Sequence, residues 1–142
     1  MLRMLVAVDG SDTANRAVAH AMHVEQLCSQ PLALHLVNVQ APLTCMEVRE
    51  HVGADVINAH YRDEGMKALA GARKLLDDAS VEHTWHVAVG PAAESILKYV
   101  HEHHCTQIVM GNLGCNAIPG LLLGSVASKV LHLADVPVTL VK

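Results

Sequence analysis

A chain of 142 residues that is 51% hydrophobic but only 2% aromatic, with no Phe, must build its interior from aliphatic side chains. That composition excludes an aromatic stacking platform for single-stranded nucleic acid. Ten Lys and Arg against 14 Asp and Glu give a formal charge of −4, and no stretch is strongly basic, which argues against a phosphate-backbone binder.

Met4-Leu5-Val6-Ala7-Val8 is a short apolar run ending at Asp9-Gly10-Ser11-Asp12, the pattern of a buried strand running into a helix N-cap. From Thr13 to about Cys28, residues Ala14, Ala17, Val18, Ala21, Met22 and Leu27 recur at three- and four-residue spacing, which predicts a helix packed along one face. Pro31 closes it. Leu32 to Val39 predicts a second buried strand, followed by a polar, Pro-bearing loop and a long helix from about Ala54 to Asp78. Val81 to Val89 predicts a third strand, with His83, Trp85 and Val87 on one face and Thr84, His86 and Ala88 on the other.

Gly90-Pro91 ends that strand, and Pro91 suits the first turn of a helix reaching about His103. Gln107 to Met110 predicts strand four, ended by Gly111-Asn112-Leu113-Gly114. Gly124-Ser125 opens a helix through Val126, Ala127, Val130 and Leu131, and Val136 to Val141 forms the last strand. The alternation predicts an α/β fold: an open, doubly wound, five-stranded parallel sheet with helices on both faces. The length is that of one domain, expected to span residues 1–142. No apolar run approaches the roughly 18 residues of a membrane span.

In such sheets ligands settle beyond the carboxyl ends of the strands. Two loops there carry chemistry. Asp9, at the end of strand one, could accept hydrogen bonds from ribose hydroxyls or an adenine amino group, whereas Ser11 and Asp12 read as helix caps. In the longer loop, Gly111 and Gly114 permit close backbone approach, and Gly124-Ser125 sits where free N–H groups, a hydroxyl and the helix dipole suit a phosphate. No Lys follows Gly124, so this is not a Walker loop. A purely structural account, glycines for turns and Ser125 as a cap, stays open on these residues alone.

Gly111, two residues, Gly114, nine residues, then Gly124-Ser125 resembles the nucleotide-binding motif of the universal stress protein family. Leu5-Val6-Ala7-Val8-Asp9-Gly10-Ser11, Leu34-His35-Leu36-Val37, Gly90-Pro91-Ala92-Ala93-Glu94-Ser95-Ile96, Ile108-Val109-Met110-Gly111 and Val136-Pro137-Val138 are similar to further segments of that family. The resemblance covers essentially the whole chain. It implies the strand order 3-2-1-4-5 and a cytoplasmic stress-response protein, often a homodimer, of the branch that binds ATP. Carried over by position, it implies Val8 and Asp9 at adenine and ribose, Leu36 offering backbone contacts to the base, and Met110 beside the nucleoside. Gly111 and Gly114 would line the phosphate path, and Gly124, Ser125 and Val126 would hold the phosphates, with Mg or Mn as an accompanying ion.

One departure is that no basic residue lies between Gly111 and Ser128, and Lys129 is the nearest cation in sequence. Charge-assisted hydrogen bonds are roughly twice as strong as neutral ones, so AMP, ADP or a cyclic nucleotide competes with ATP as the expected ligand. Hydrolysis needs a group orienting water, a metal anchor and a cation on the transferring phosphoryl group. None stands out, so a binding module is expected, with a slow ATPase as the alternative and no catalytic residue assigned.

A further alternative uses the 11 His: His20 with His23, and His101, His103 and His104 with Cys105, could bind metal, although capping and surface roles account for them. Protonating all 11 would carry the net charge from −4 to +7, which makes acid sensitivity an expectation. Cys28, Cys45, Cys105 and Cys115 show no two-apart pairing and no signal peptide precedes them, so reduced thiols in the cytoplasm are expected. Cys115, in the glycine loop, is a candidate for oxidation, with an inert thiol as the plainer reading. The apolar final strand suits a sheet edge that pairs with a second subunit.

Overall fold

The computed structural model describes residues 1–43, 51–115 and 117–142; Cys45, Asn116 and part of the loop expected after strand two lie outside the described residues. Along the chain run β1 (Leu2–Ala7), α1 (Asp12–Leu27), β2 (Leu32–Gln40), α2 (Ala54–Asp78), β3 (His83–Val89), α3 (Ala92–Glu102), β4 (Gln107–Gly111), α4 (Ser125–Leu133) and β5 (Val138–Val141). The strands form one parallel sheet, as the alternation predicts, in the order β3-β2-β1-β4-β5 that the family resemblance implies.

The unbroken apolar run of β1 follows from its central place, since both of its faces are covered. Val6 pairs with Leu36 on one side and Val109 on the other; with Met4 and Leu34 they meet α1 and α2. Leu5, Val37, Ile108 and Met110 point the other way, against α3 and α4. The helices approach closely because they present small residues. Ala14, Ala17, Val18 and Ala21 form the buried stripe of α1. On α2, a Cβ at Gly65 would lie 2.5 Å from both Val87 methyl groups, so a glycine is required where that helix crosses β3.

Helix ends explain where the strands differ from the expected bounds. Ser80 takes a positive φ of 56° and the Val81 N–H closes α2 on the Leu76 carbonyl at 2.9 Å. Val81 is thereby withdrawn from the sheet and β3 starts at His83. His104, φ 53°, does the same for α3, with the Cys105 N–H donating to the Val100 carbonyl at 2.9 Å. Pro137 has no N–H to pair, so β5 starts at Val138, although the Pro137 carbonyl still accepts from the Ile108 N–H at 2.9 Å. Among the described residues no helix is long and apolar enough to cross a membrane.

Candidate functional site

The winding reverses at β1, which has β2 on one side and β4 on the other. At the carboxyl ends of these three strands the loops part around a cleft of about 480 Å³. Val8, Val37, Val39, Ile96 and Met110 supply its apolar wall; Asp9, Asn38, Gln40 and Asn112 are its polar points; Gly111, Gly114 and Gly124 bring backbone to its surface. A wider, shallower groove of about 730 Å³ lies at the amino ends of β2 and β3, between Met1, Pro31–His35, Asp77 and Ser80–Thr84. The carboxyl-end cleft is the one placed where doubly wound sheets bind ligands.

Asp9 ties the two loops together. Its Oδ1 accepts from the Ser11 N–H at 2.9 Å and from the Ser11 hydroxyl, while Oδ2 accepts from the Cys115 N–H at 3.1 Å. The Cys115 thiol donates to the Asp9 carbonyl at 3.1 Å. Ser11 is the N-cap of α1, its Oγ accepting from the Ala14 N–H at 3.1 Å, and Asp12 is the first helical residue. Gly114 is needed for the arrangement because a Cβ there would lie 3.0 Å from Asp9 Oδ2.

Asn112 fixes the far side of the long loop. Its N–H donates to the Val141 carbonyl at 2.9 Å and its Nδ2 to the Leu122 carbonyl at 3.0 Å; its own carbonyl accepts from the Gly124 N–H at 2.6 Å. Gly124 is then the N-cap of α4 with no side-chain cap bond. The first-turn N–H groups of an α-helix have no intrahelical partner, so those of Ser125, Val126 and Ala127 face the cleft region as donors carrying the positive end of the dipole.

Opposite, Asn38 is buried. Its Nδ2 donates to the Val8 carbonyl at 2.8 Å and its Oδ1 accepts from Gln40 Nε2 at 2.7 Å. The first bond ties β2 to the residue that follows β1, beside the Val8 N–H to Val37 carbonyl bond of 2.8 Å, and the second lies within β2.

Of the residues expected at the site, Val8, Asp9, Met110, Gly111, Gly114, Gly124, Ser125 and Val126 all line this one cleft. Leu36 does not. It pairs with Val6 and Trp85 in mid-sheet, and its side chain is fully buried in the α1/α2 core; β2 runs on to Gln40, so Val37–Gln40 reach the cleft instead. Asn38, Gln40 and Asn112 were not anticipated. The available signal was a polar residue interrupting an apolar strand near its carboxyl end.

Among the described lining residues Asp9 is the sole Asp, Glu, Lys, Arg or His. Lys129 turns away and forms an ion pair with Glu94 of α3, whose carboxyl is held below its usual range mainly by that hydrogen bond. Burial, and then the neighbouring Asp9 charge, push the Cys115 thiol above its ordinary value, so it stays protonated and is a poor nucleophile near neutrality. A divalent cation of the magnesium type seeks one or two carboxylates besides phosphate oxygens. Both oxygens of Asp9 are already engaged, so these residues do not form a metal site of their own. Among the described residues no three His, Cys, Asp or Glu gather in a way that could hold a metal ion. His103 is instead stacked on Tyr99 at 3.9 Å.

The model of the Universal stress protein family matches residues 1–142. The chain belongs to the universal stress protein family. It is 32% identical over 146 residues to Universal stress protein YxiE of Bacillus subtilis, covering 99% of this chain and 98% of that one. Universal stress protein UspA from Lactobacillus plantarum has the same fold, with a TM-score of 0.81 at 22% identity and coverage of 99% and 97%. The universal stress protein from Archaeoglobus fulgidus in complex with dAMP matches at a TM-score of 0.67 and 23% identity, covering 100% of this chain and 98% of that one.

Proposed function

We propose that this universal stress protein binds an adenine nucleotide in the carboxyl-end cleft and acts as a binding module in a stress response, with little or no hydrolysis. The observation that carries the reading is the meeting, in one cleft, of the Asp9 carboxylate, the Gly111–Gly114 backbone and the uncapped start of α4. An apolar slot between Val8, Val37, Val39 and Met110 suits a purine; Asp9 and Asn38 suit ribose or base polar groups; the N–H groups of α4 suit a phosphate. Support also comes from the A. fulgidus relative, which holds dAMP.

Binding is favoured over turnover because, among the described residues, the one lining carboxylate is spent on joining loops and no lining cation is present to stabilise a transferring phosphoryl group. The motif would place the chain in the ATP-binding branch, with Mg or Mn arriving on the ligand's own phosphates. The whole of residues 1–142 would act as one unit, in the cytoplasm, as a homodimer. Mass spectrometry of small molecules released from purified, denatured protein tests the ligand class: an adenine nucleotide supports the reading, and a stoichiometric ligand of another class overturns it.

A further inference from the structure

The same cleft has an uneven charge and polarity whose meaning rests on the adenine-nucleotide reading. Its phosphate end offers the start of α4, worth about half an elementary charge. Among the described residues it offers no lining Lys, Arg or His, and Lys129 is committed to Glu94. A terminal phosphate carries about two negative charges near neutrality, and a phosphodiester carries one. Burying charge without a partner is costly, so the cleft matches the diester better than a free terminal phosphate or a polyphosphate.

The wall beside that helix start is apolar. Leu113, Ile118 and Leu121 line the cleft next to Gly124 and Ser125. Ile118 is 66% exposed, and Leu122, next in sequence to Leu121, is 84% exposed. Asn112 pins this stretch through the Leu122 carbonyl, so the apolar side chains are held at the mouth rather than folded into the core. Large apolar groups clustered at a ligand cleft mark a surface that gains by being covered.

We infer that this cleft takes an adenosine 5′-phosphodiester whose second substituent is apolar, and takes it in preference to ATP. The single charge lies at the start of α4, and the substituent covers Ile118, Leu121 and Leu122.

Equilibrium binding to the full chain, with and without Mg²⁺, tests this using AMP, ATP and the hexyl phosphodiester of AMP as probes. Each buried methylene contributes measurably to affinity, so the hexyl ester is expected to bind at least about tenfold more tightly than either AMP or ATP. In the Ile118→Asn, Leu121→Asn double variant the ester-to-AMP affinity ratio falls towards one. An ATP affinity above that of the ester, a wild-type ratio near one, or a ratio unmoved in the double variant overturns the inference while leaving nucleotide binding intact. Failure of all three probes to bind removes the adenine-nucleotide reading itself, and this inference with it.

Discussion

Gly124 separates folding from binding at a single position. As the N-cap of α4 it is compatible with Asp, a favoured cap residue, although the new Cβ would sit 3.3 Å from the Asn112 carbonyl. The new carboxylate would also stand where a phosphate is proposed. Gly124→Asp is therefore expected to change unfolding free energy by less than about 1 kcal/mol, the cap gain offsetting the tight contact. It should lower AMP affinity at least about tenfold, which corresponds to about 1.4 kcal/mol. Urea unfolding and equilibrium dialysis of the same preparation check the two halves, and an unchanged affinity would place the phosphate elsewhere. At this scale the sequence was informative wherever a residue type has a narrow use. Asp9 and Gly114 stand in the loops after β1 and β4, Gly111 ends β4 and Gly124 caps α4, places where carboxylates and glycines have specific work, and all four line the cleft. Leu36, expected to offer backbone contacts to the base, is not among the cleft-lining residues, and an apolar run does not reveal how far a strand continues. Three more pairs beyond Val37 and His86 carry β2 past it to Gln40.

At the scale of elements, the packing of α3 on β2 and β3 holds the titratable group of most consequence. His35 of β2 is half-buried, and its Nδ1 lies 3.0 Å from the Tyr99 hydroxyl and 3.1 Å from Thr84 Oγ1. Tyr99 in turn stacks on His103. Burial, then the proximity of His103 and Arg3, lowers the pKa of His35. A His whose folded pKa lies below its unfolded value binds fewer protons when folded, so its contribution is complete above the unfolded value, near 6.5, and is lost as pH falls below it towards the folded value. Between pH 7.5 and 5.5 the urea midpoint is expected to fall, and His35→Asn should lessen that fall. Equal slopes for wild type and variant would locate the acid sensitivity in other groups. Element order and type were legible because periodicity is a direct consequence of which face is buried. The ends were less so: Val81 reads as strand by composition, but its N–H is taken by the turn that closes α2.

For the whole molecule the open question is assembly. β3 and β5 are the two edges of the sheet. Trp85 on β3 is covered in part by Arg73, whose guanidinium carbon is 5.1 Å from the ring centre. On β5 the carbonyls of Pro137 and Val141 are taken by Ile108 of β4 and by Asn112 just after it, so alternation turns the polar groups of Val138 and Leu140 outward. Pairing of two β5 edges would satisfy those groups, and light scattering at micromolar concentration is expected to return the mass of a dimer; a monomer would contradict the proposal. The α/β order and the five-stranded parallel sheet were legible from the sequence at this scale. What joins the cleft could not be read there, because Asn38 and Asn112 act through backbone carbonyls that only the fold brings near, and Gln40 acts through the Asn38 side chain.

The central claim is that loops after β1 and β4 make one nucleotide site per chain. Equilibrium dialysis of labelled AMP against the full chain measures it directly. The account predicts saturable uptake of one AMP per chain, displaced by unlabelled AMP and weakened in Gly124→Asp. Label that stays equal on both sides of the membrane throughout the titration would contradict it.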